Sequence, residues 1–152
     1  MKRIEIKLNL EAVAPLLDRI KESVGALEGK LAAPVRPPDS DAEMEAAWAG
    51  ELLRDQKGDC QRFLAMFDQR FFADGTISLD EENAGPVLRA CAAIRLNLRE
   101  SAFGMVPDEA LEGGKVSLEQ MDQATQNAFE AYVFLATLQE LIIENLDGEI
   151  LS

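Results

Sequence analysis

The sequence contains no histidine. That absence removes the Ser–His–Asp and Cys–His nucleophile pairs, His-ligated zinc or haem, and any imidazole switch near neutral pH. It also removes the Glu-x-x-His pairs from which di-iron and di-manganese helical bundles are built. Cysteine is scarce. Cys60 and Cys91 fall on apolar faces of expected helices, where they read as small buried hydrophobes in a reducing compartment, not as a disulfide framework. No apolar run approaches the ~20 residues needed to cross a bilayer. The stretch Met1–Ile6 alternates charged and apolar residues, which is not the pattern of a signal peptide. These shortages point to a cytoplasmic protein. Basic residues are the last of them: 15 against 28 acidic, a formal charge of −13. Phosphate backbones and anionic lipid surfaces repel such a chain, so neither nucleic acid nor membrane is an expected partner.

What is present suits a folded object. With 152 residues, 47% of them hydrophobic, the chain has material for one core, and a single helical domain over residues 1–152 is expected. The charge is uneven. From Met105 to Ser152 ten acidic residues face Lys115 alone, a net −9. Such a stretch reads as a solvated acidic surface or as a docking face for a basic partner.

Ile4, Ile6 and Leu8 alternate with Glu5 and Lys7, the period of a short half-buried strand. Asn9 is placed to cap a helix whose apolar stripe is Leu10, Val13, Leu17, Ile20, Val24, Leu27 and Leu31. Pro15 should kink that helix or delay its start. Three prolines at 33–39 mark a linker. Ser40 and Glu43 form a capping box that opens a second helix at Asp41. Met44, Trp48, Leu52, Cys60, Phe63, Leu64 and Phe67 are its expected buried face to about Gln69, with a weak point at Asp55–Asp59. Asp74-Gly75 signals a turn and Thr76–Leu79 a second strand. Ser78 with Glu81 makes another capping box, opening a third helix to about Phe103 with Ala84, Val87, Leu88, Cys91, Ile94 and Leu98 inward. A short strand at 115–117 and a box of Ser117 and Gln120 precede the last helix, about 118–146, with Gly148 placed to end it. That helix is apolar in every direction. It should therefore be buried all round, as the central helix or by lending a face to a second chain. The fold class is mainly α: a bundle of about four main helices with a small β element near residues 3–8, 76–79 and 115–117.

Two constellations invite a chemical reading. Asp74 to Glu81 is spaced like the second half of an EF-hand calcium loop, and Gly113–Gln120 like a degraded copy. The positions that would supply the first two carboxylates hold Arg70 and Phe72, which cannot coordinate calcium. Asp74 and Glu81 are therefore read as turn and helix-opening residues, and no metal or cofactor is expected. Glu81 and Glu82 suit a first helical turn better than paired acid chemistry, and Gly113-Gly114-Lys115 lacks phosphate-loop spacing. The second constellation is polar. Arg95 lies on the inward line of the third helix, and Tyr132, Gln139 and Glu140 continue inward lines of the last. A buried guanidinium must be paired, so Arg95 is expected to meet Gln139, Glu140 or Tyr132. The cluster is a register-fixing staple or a polar pocket for a small ligand.

The residues Ile77-Ser78-Leu79-Asp80-Glu81-Glu82, then Leu88-Arg89-Ala90 and Ile94-Arg95-Leu96, resemble the middle motif of the domain-of-unknown-function family 2017. Tyr132 with Leu135–Leu146 resembles its C-terminal helix. Val87 stands where the family usually has tryptophan, and Asn97-Leu98-Arg99 departs from its glycine-ended stretch. The resemblance implies an all-α bacterial protein, with relatives often encoded beside an adaptor of the Clp protease. It implies no catalytic residues. The functional expectation is a non-enzymatic regulatory or adaptor module. It would associate with a protein partner, or with itself, through the C-terminal helix and the acidic surface. The alternative is a small-molecule-binding protein or enzyme using a pocket around Arg95.

Overall fold

The computed structural model describes residues 3–32, 41–102 and 122–145. Strand β1 (Arg3–Lys7) leads into helix α1 (Leu10–Ala26), followed by α2 (Ala42–Ala65) and the short α3 (Gln69–Asp74). Strand β2 (Thr76–Asp80), α4 (Ala84–Ala102) and α5 (Gln123–Asn145) complete the order. The mainly helical class with one small β element is as expected. The linker at 33–39, Ser40, the strand at 115–117, the Gly113–Gln120 loop with its Ser117–Gln120 box, and Gly148 lie outside the described residues.

Helix α4 holds the centre. Ala84, Val87, Ala90, Cys91, Ile94 and Leu98 are fully buried along it, because α2, α5 and α1 all pack against it. The central position, one of the two alternatives for the last helix, belongs to α4 instead. Helix α5 buries a single face, Ala128, Ala131, Leu135, Leu138 and Ile142, against α4 and α1, and leaves Val133 and Ile143 exposed. It also starts later than expected, because Asp122 caps it by accepting from the Thr125 amide at 2.7 Å.

Caps explain the other boundaries. Asn9 Oδ1 accepts from the Ala12 amide at 3.2 Å, closing the first turn of α1 ahead of Pro15, so the proline does not delay the start. Asp41 caps α2 through the Met44 amide at 2.8 Å, one residue later than the expected opening. The chain breaks helix after Ala65 because Asp68 accepts from the Arg70 and Phe71 amides and opens α3. Phe63, Phe67 and Phe71 cross that break edge to face, with centroids 5.3 and 5.0 Å apart. Ser78 does not cap α4, since it lies within β2 opposite Glu5. The box is formed instead by Asp80 and Asn83. Asp80 Oδ1 accepts from the Asn83 amide at 3.0 Å, and Asn83 Oδ1 accepts from the Asp80 amide at 2.8 Å.

The expected weak point at Asp55–Asp59 is in fact one of the better-anchored parts of α2. Gln56 donates to the Leu27 and Lys30 carbonyls at 3.1 and 2.9 Å, and its Oε1 accepts from the Ala32 amide at 3.0 Å. One side chain thereby satisfies the open end of α1. Three residues on, Asp59 accepts a bidentate pair of bonds from Arg89 of α4, both 3.0 Å.

Strands β1 and β2 pair antiparallel, with Ile4 opposite Leu79 and Ile6 opposite Ile77. Ile77 and Leu79 of this ribbon are buried. Val116, expected to join it, lies outside the described residues. Arg70 of α3 grips Glu5 with two 2.8 Å bonds, and that hydrogen-bonded cation holds the exposed Glu5 carboxyl below its usual range. The ribbon closes at Gly75, in the left-handed region with φ 85°, whose carbonyl accepts from the Leu8 amide at 2.8 Å. A Cβ at Gly75 would collide with the Leu8 carbonyl oxygen.

Gly75→Ala should therefore destabilise the fold by about 2 kcal/mol or more, combining strained φ with a backbone clash; thermal melting checks it. The two thiols give a second expectation. Burial pushes Cys60 up to about 11, with Asp59 adding to the effect. Burial pushes Cys91 up to about 12, against an opposing pull from Arg95. An unfolded chain ionises both near 9.0. The thiols' contribution is thus fully present below pH 9 and declines as pH rises from there towards 11, by about 1.4 kcal/mol per pH unit for each thiol. Urea melts between pH 7.5 and 10.5 should show this fall, and the Cys60→Ala/Cys91→Ala variant should lack it.

Candidate functional site

The structure brings Arg95, Tyr132 and Gln139 together across the α4–α5 seam. Arg95 Nη1 donates to Gln139 Oε1 at 2.7 Å and Nη2 to the Tyr132 hydroxyl at 3.2 Å. The guanidinium carbon stands 4.6 Å from the Tyr132 ring centroid, within cation–π range. Gln139 Nε2 donates in turn to the Leu88 carbonyl at 3.2 Å. One helix therefore holds the other by a chain of bonds running from a side chain to a backbone group.

Glu140 does not join this cluster. It sits one residue round α5 from Gln139 and is exposed. Arg95 is half-buried, its Nε is sealed from solvent without a hydrogen-bond partner, and its two hydrogen-bond acceptors are neutral oxygens. Asp74 and Glu81 are apart from it. Asp74 Oδ1 accepts from the Thr76 amide at 2.9 Å, and bonding to the Thr76 side chain and amide keeps its carboxyl below the usual range. Glu81 is an exposed residue of the turn before α4. Among the described residues no three His, Cys, Asp or Glu side chains gather as a metal site. Nor is any described helix long and apolar enough to cross a membrane.

Among the described residues three grooves stand out, and Arg95 lines none of these three. A groove of about 410 Å³ lies where the end of α2 meets β2 and the Asp80–Asn83 box, with Arg62, Asp68, Thr76 and Ser78 on its walls. One of about 330 Å³ separates α1 from α2, between Leu27, Leu53 and Leu64. The largest of these three, about 710 Å³, runs between α2 and α4 and is lined by the apolar Leu52, Ala93 and Leu96 and by the charged Arg54, Asp55, Asp59, Arg62 and Arg89. Asp59 of α2 pairs with Arg89 of α4 in this groove, which Leu52 and Leu96 also line.

Beyond that groove α2 continues with nothing buried. No residue from Ala42 to Asp59 is fully covered. Met44 is 58% and Trp48 42% exposed, which corrects the expectation that both belong to the core. The physical reason is the composition between them. Ala42, Ala46, Ala47, Ala49 and Gly50 offer too little side chain to build a core layer, and Asp41, Glu43, Glu45 and Glu51 need water. The stripe Met44, Trp48, Leu52 keeps helical spacing and runs into the apolar floor of the groove. The small residues beside Trp48 were the available signal that this stripe faces outward.

A family model described as Domain of unknown function (DUF2017) matches residues 13–146. The chain belongs to that family. The match spans α1 through α5, so it takes in the Arg95 cluster and the α2–α4 groove alike. No curated protein and no solved structure matches the chain.

If the Arg95 chain of bonds staples α4 to α5, Arg95→Met should cost about 1–3 kcal/mol, because Gln139 Oε1 and the Tyr132 hydroxyl lose their donor. Chemical denaturation measures this. A variant as stable as the parent would exclude the staple.

Proposed function

We propose that this chain is a non-enzymatic adaptor or regulatory module that works by holding a segment of another protein along the α2–α4 groove. The observation that carries the reading is the projecting half of α2, where Met44 and Trp48 stand in water at one end of an apolar groove. A helix that gains so little from its own core is marginal in isolation. A contiguous apolar stripe with polar margins is how an interaction site looks before its partner arrives. Tryptophan is also the residue type most often found at the energetic centre of protein interfaces.

Helix α5 offers a second apolar surface, Val133 and Ile143, beside exposed Glu140 and Glu144. It is the weaker candidate, since neither residue borders one of the three grooves. The chain's charge of −13 favours partners with basic residues and disfavours nucleic acid. The cytoplasm, where buried thiols stay reduced, is the proposed location.

Trp48 is the only tryptophan, so it reports on its own surface. A displayed library of amphipathic helical peptides, selected on the intact protein, should yield binders that blue-shift its emission. Those binders should lose at least about tenfold in affinity against Trp48→Ala, in keeping with a central interface residue. The variant should fold as the parent does, because Trp48 is not in the core. A library yielding no binder that depends on Trp48 would overturn the reading.

A further inference from the structure

On a helix, the residues three, four and seven positions away are the ones that surround a side chain on its surface. Around Trp48 these are Met44 and Leu52 at four, Glu45 and Glu51 at three, and Asp41 and Asp55 at seven. The exposed indole thus has an apolar side chain before and after it, and carboxylates at the other neighbouring positions. No base interrupts this frame before Arg54, which is six residues past Trp48 and about a third of a turn off its line. Asp41, Glu51 and Asp55 are exposed and belong to none of the described ion pairs. The nearest guanidinium of α4, Arg89, is held by Asp59, and Asp55 adds to the field on it.

We infer that the face of α2 centred on Trp48 takes a basic amphipathic helix, its apolar side chains along Met44, Trp48 and Leu52 and its lysines or arginines meeting the carboxylates on both flanks. This rests on the partner-binding reading proposed above and adds the chemistry of what is bound. A cation beside this indole is attracted twice, by the negative face of the ring and by the carboxylates around it. The same frame disfavours a second copy of the chain as the occupant. Packed antiparallel about Trp48, two copies of α2 would set Asp41 against Asp55 and Glu45 against Glu51. Packed parallel in register, each acid would meet itself. Like charges opposed across an interface weaken it, so the face selects a basic partner over its own copy. The frame carries the same sign before and after Trp48, so it sets the charge of the bound helix and not its direction.

Three synthetic helices of about eighteen residues, or five turns, decide the matter. They share one leucine stripe and differ only in its flanks, which are Lys, Gln or Glu. Titrated into the intact protein and followed by Trp48 emission at low salt, the Lys peptide should bind about tenfold tighter than the Gln peptide, with the Glu peptide weakest. The gaps should narrow as salt screens the charges. Glu45→Gln/Glu51→Gln should weaken the Lys peptide about fivefold and leave the Gln peptide unchanged, which shows the surface intact. Glu140→Gln/Glu144→Gln removes the same charge from exposed positions of α5 and should weaken the Lys peptide less than about twofold. Sedimentation should give a monomer. Equal affinities for the Lys and Gln peptides, or equal losses in the two double variants, would overturn the acidic frame as the selecting feature while leaving Trp48 on a binding surface. A dimer that Trp48→Ala dissociates would overturn the choice of occupant. Absence of binding by all three peptides, with Trp48-dependent binders in hand from the library, would overturn the basic helix as ligand. If the library has failed as well, the underlying reading falls.

Discussion

Helix α4 presents one broad apolar stripe that three other helices share, and that stripe organises the molecule. It carries six fully buried side chains along nineteen residues, while Arg89, Ala92, Leu96 and Glu100 on its other side are exposed. Helices α1, α2 and α5 each take a share of its surface. A helix that serves as cover needs only one apolar face, which is why α5, despite its hydrophobic composition, leaves Val133 and Ile143 in water. The polar atoms at these contacts are likewise tied in pairs across α4: Arg89 to Asp59 on the α2 side, and Arg95 to Gln139 and Tyr132 on the α5 side. Two arginines of one helix thus define the register of two others.

The cover supplied by α2 is uneven. Its last turns give Cys60 and Phe63 to the core, where the phenylalanine ladder carries the packing on into α3. Its first turns give nothing. Gln56 stands at the transition and fastens α2 to the end of α1, and Asp41 caps the half beyond it. Met44 and Trp48 are thereby displayed on a scaffold that does not bury them in its core.

Much of the architecture was legible because it follows local rules. Alternation at Ile4–Leu8, the cap at Asn9, the turn at Asp74-Gly75 and the inward line of α4 all depend on near neighbours in sequence. The acceptors Gln139 and Tyr132 could be named for Arg95 because a guanidinium on an apolar line demands a partner. What escaped depends on distant choices. Periodicity places Trp48 on a stripe, but only the tertiary arrangement says that none of the other described helices reaches that far along α2. Ser78 and Glu81 fit a capping box as well as Asp80 and Asn83 do. Pairing of β2 with β1 keeps Ser78 in the strand and moves the box two residues on. Gln56 looked like part of a weak polar stretch because its three bonds go to a turn more than twenty residues earlier.

The ribbon at the edge of the bundle has a bearing on how the chain is made. Arg3 lies opposite Asp80 and Lys7 opposite Thr76, so the first strand has no β2 partner until about seventy further residues have been synthesised. At ~5–20 residues per second this amounts to several seconds on the ribosome, during which Ile4 and Ile6 are uncovered. Charged Arg3, Glu5 and Lys7 alternate with them, the pattern that discourages an unpaired strand from joining a stranger. When β2 emerges, closing the long intervening loop favours a register that is recognised at once. The Arg70–Glu5 clasp and the tight joint of Leu8 on Gly75 fix that register, so a contact between segments far apart in the chain is also among the most specifically defined.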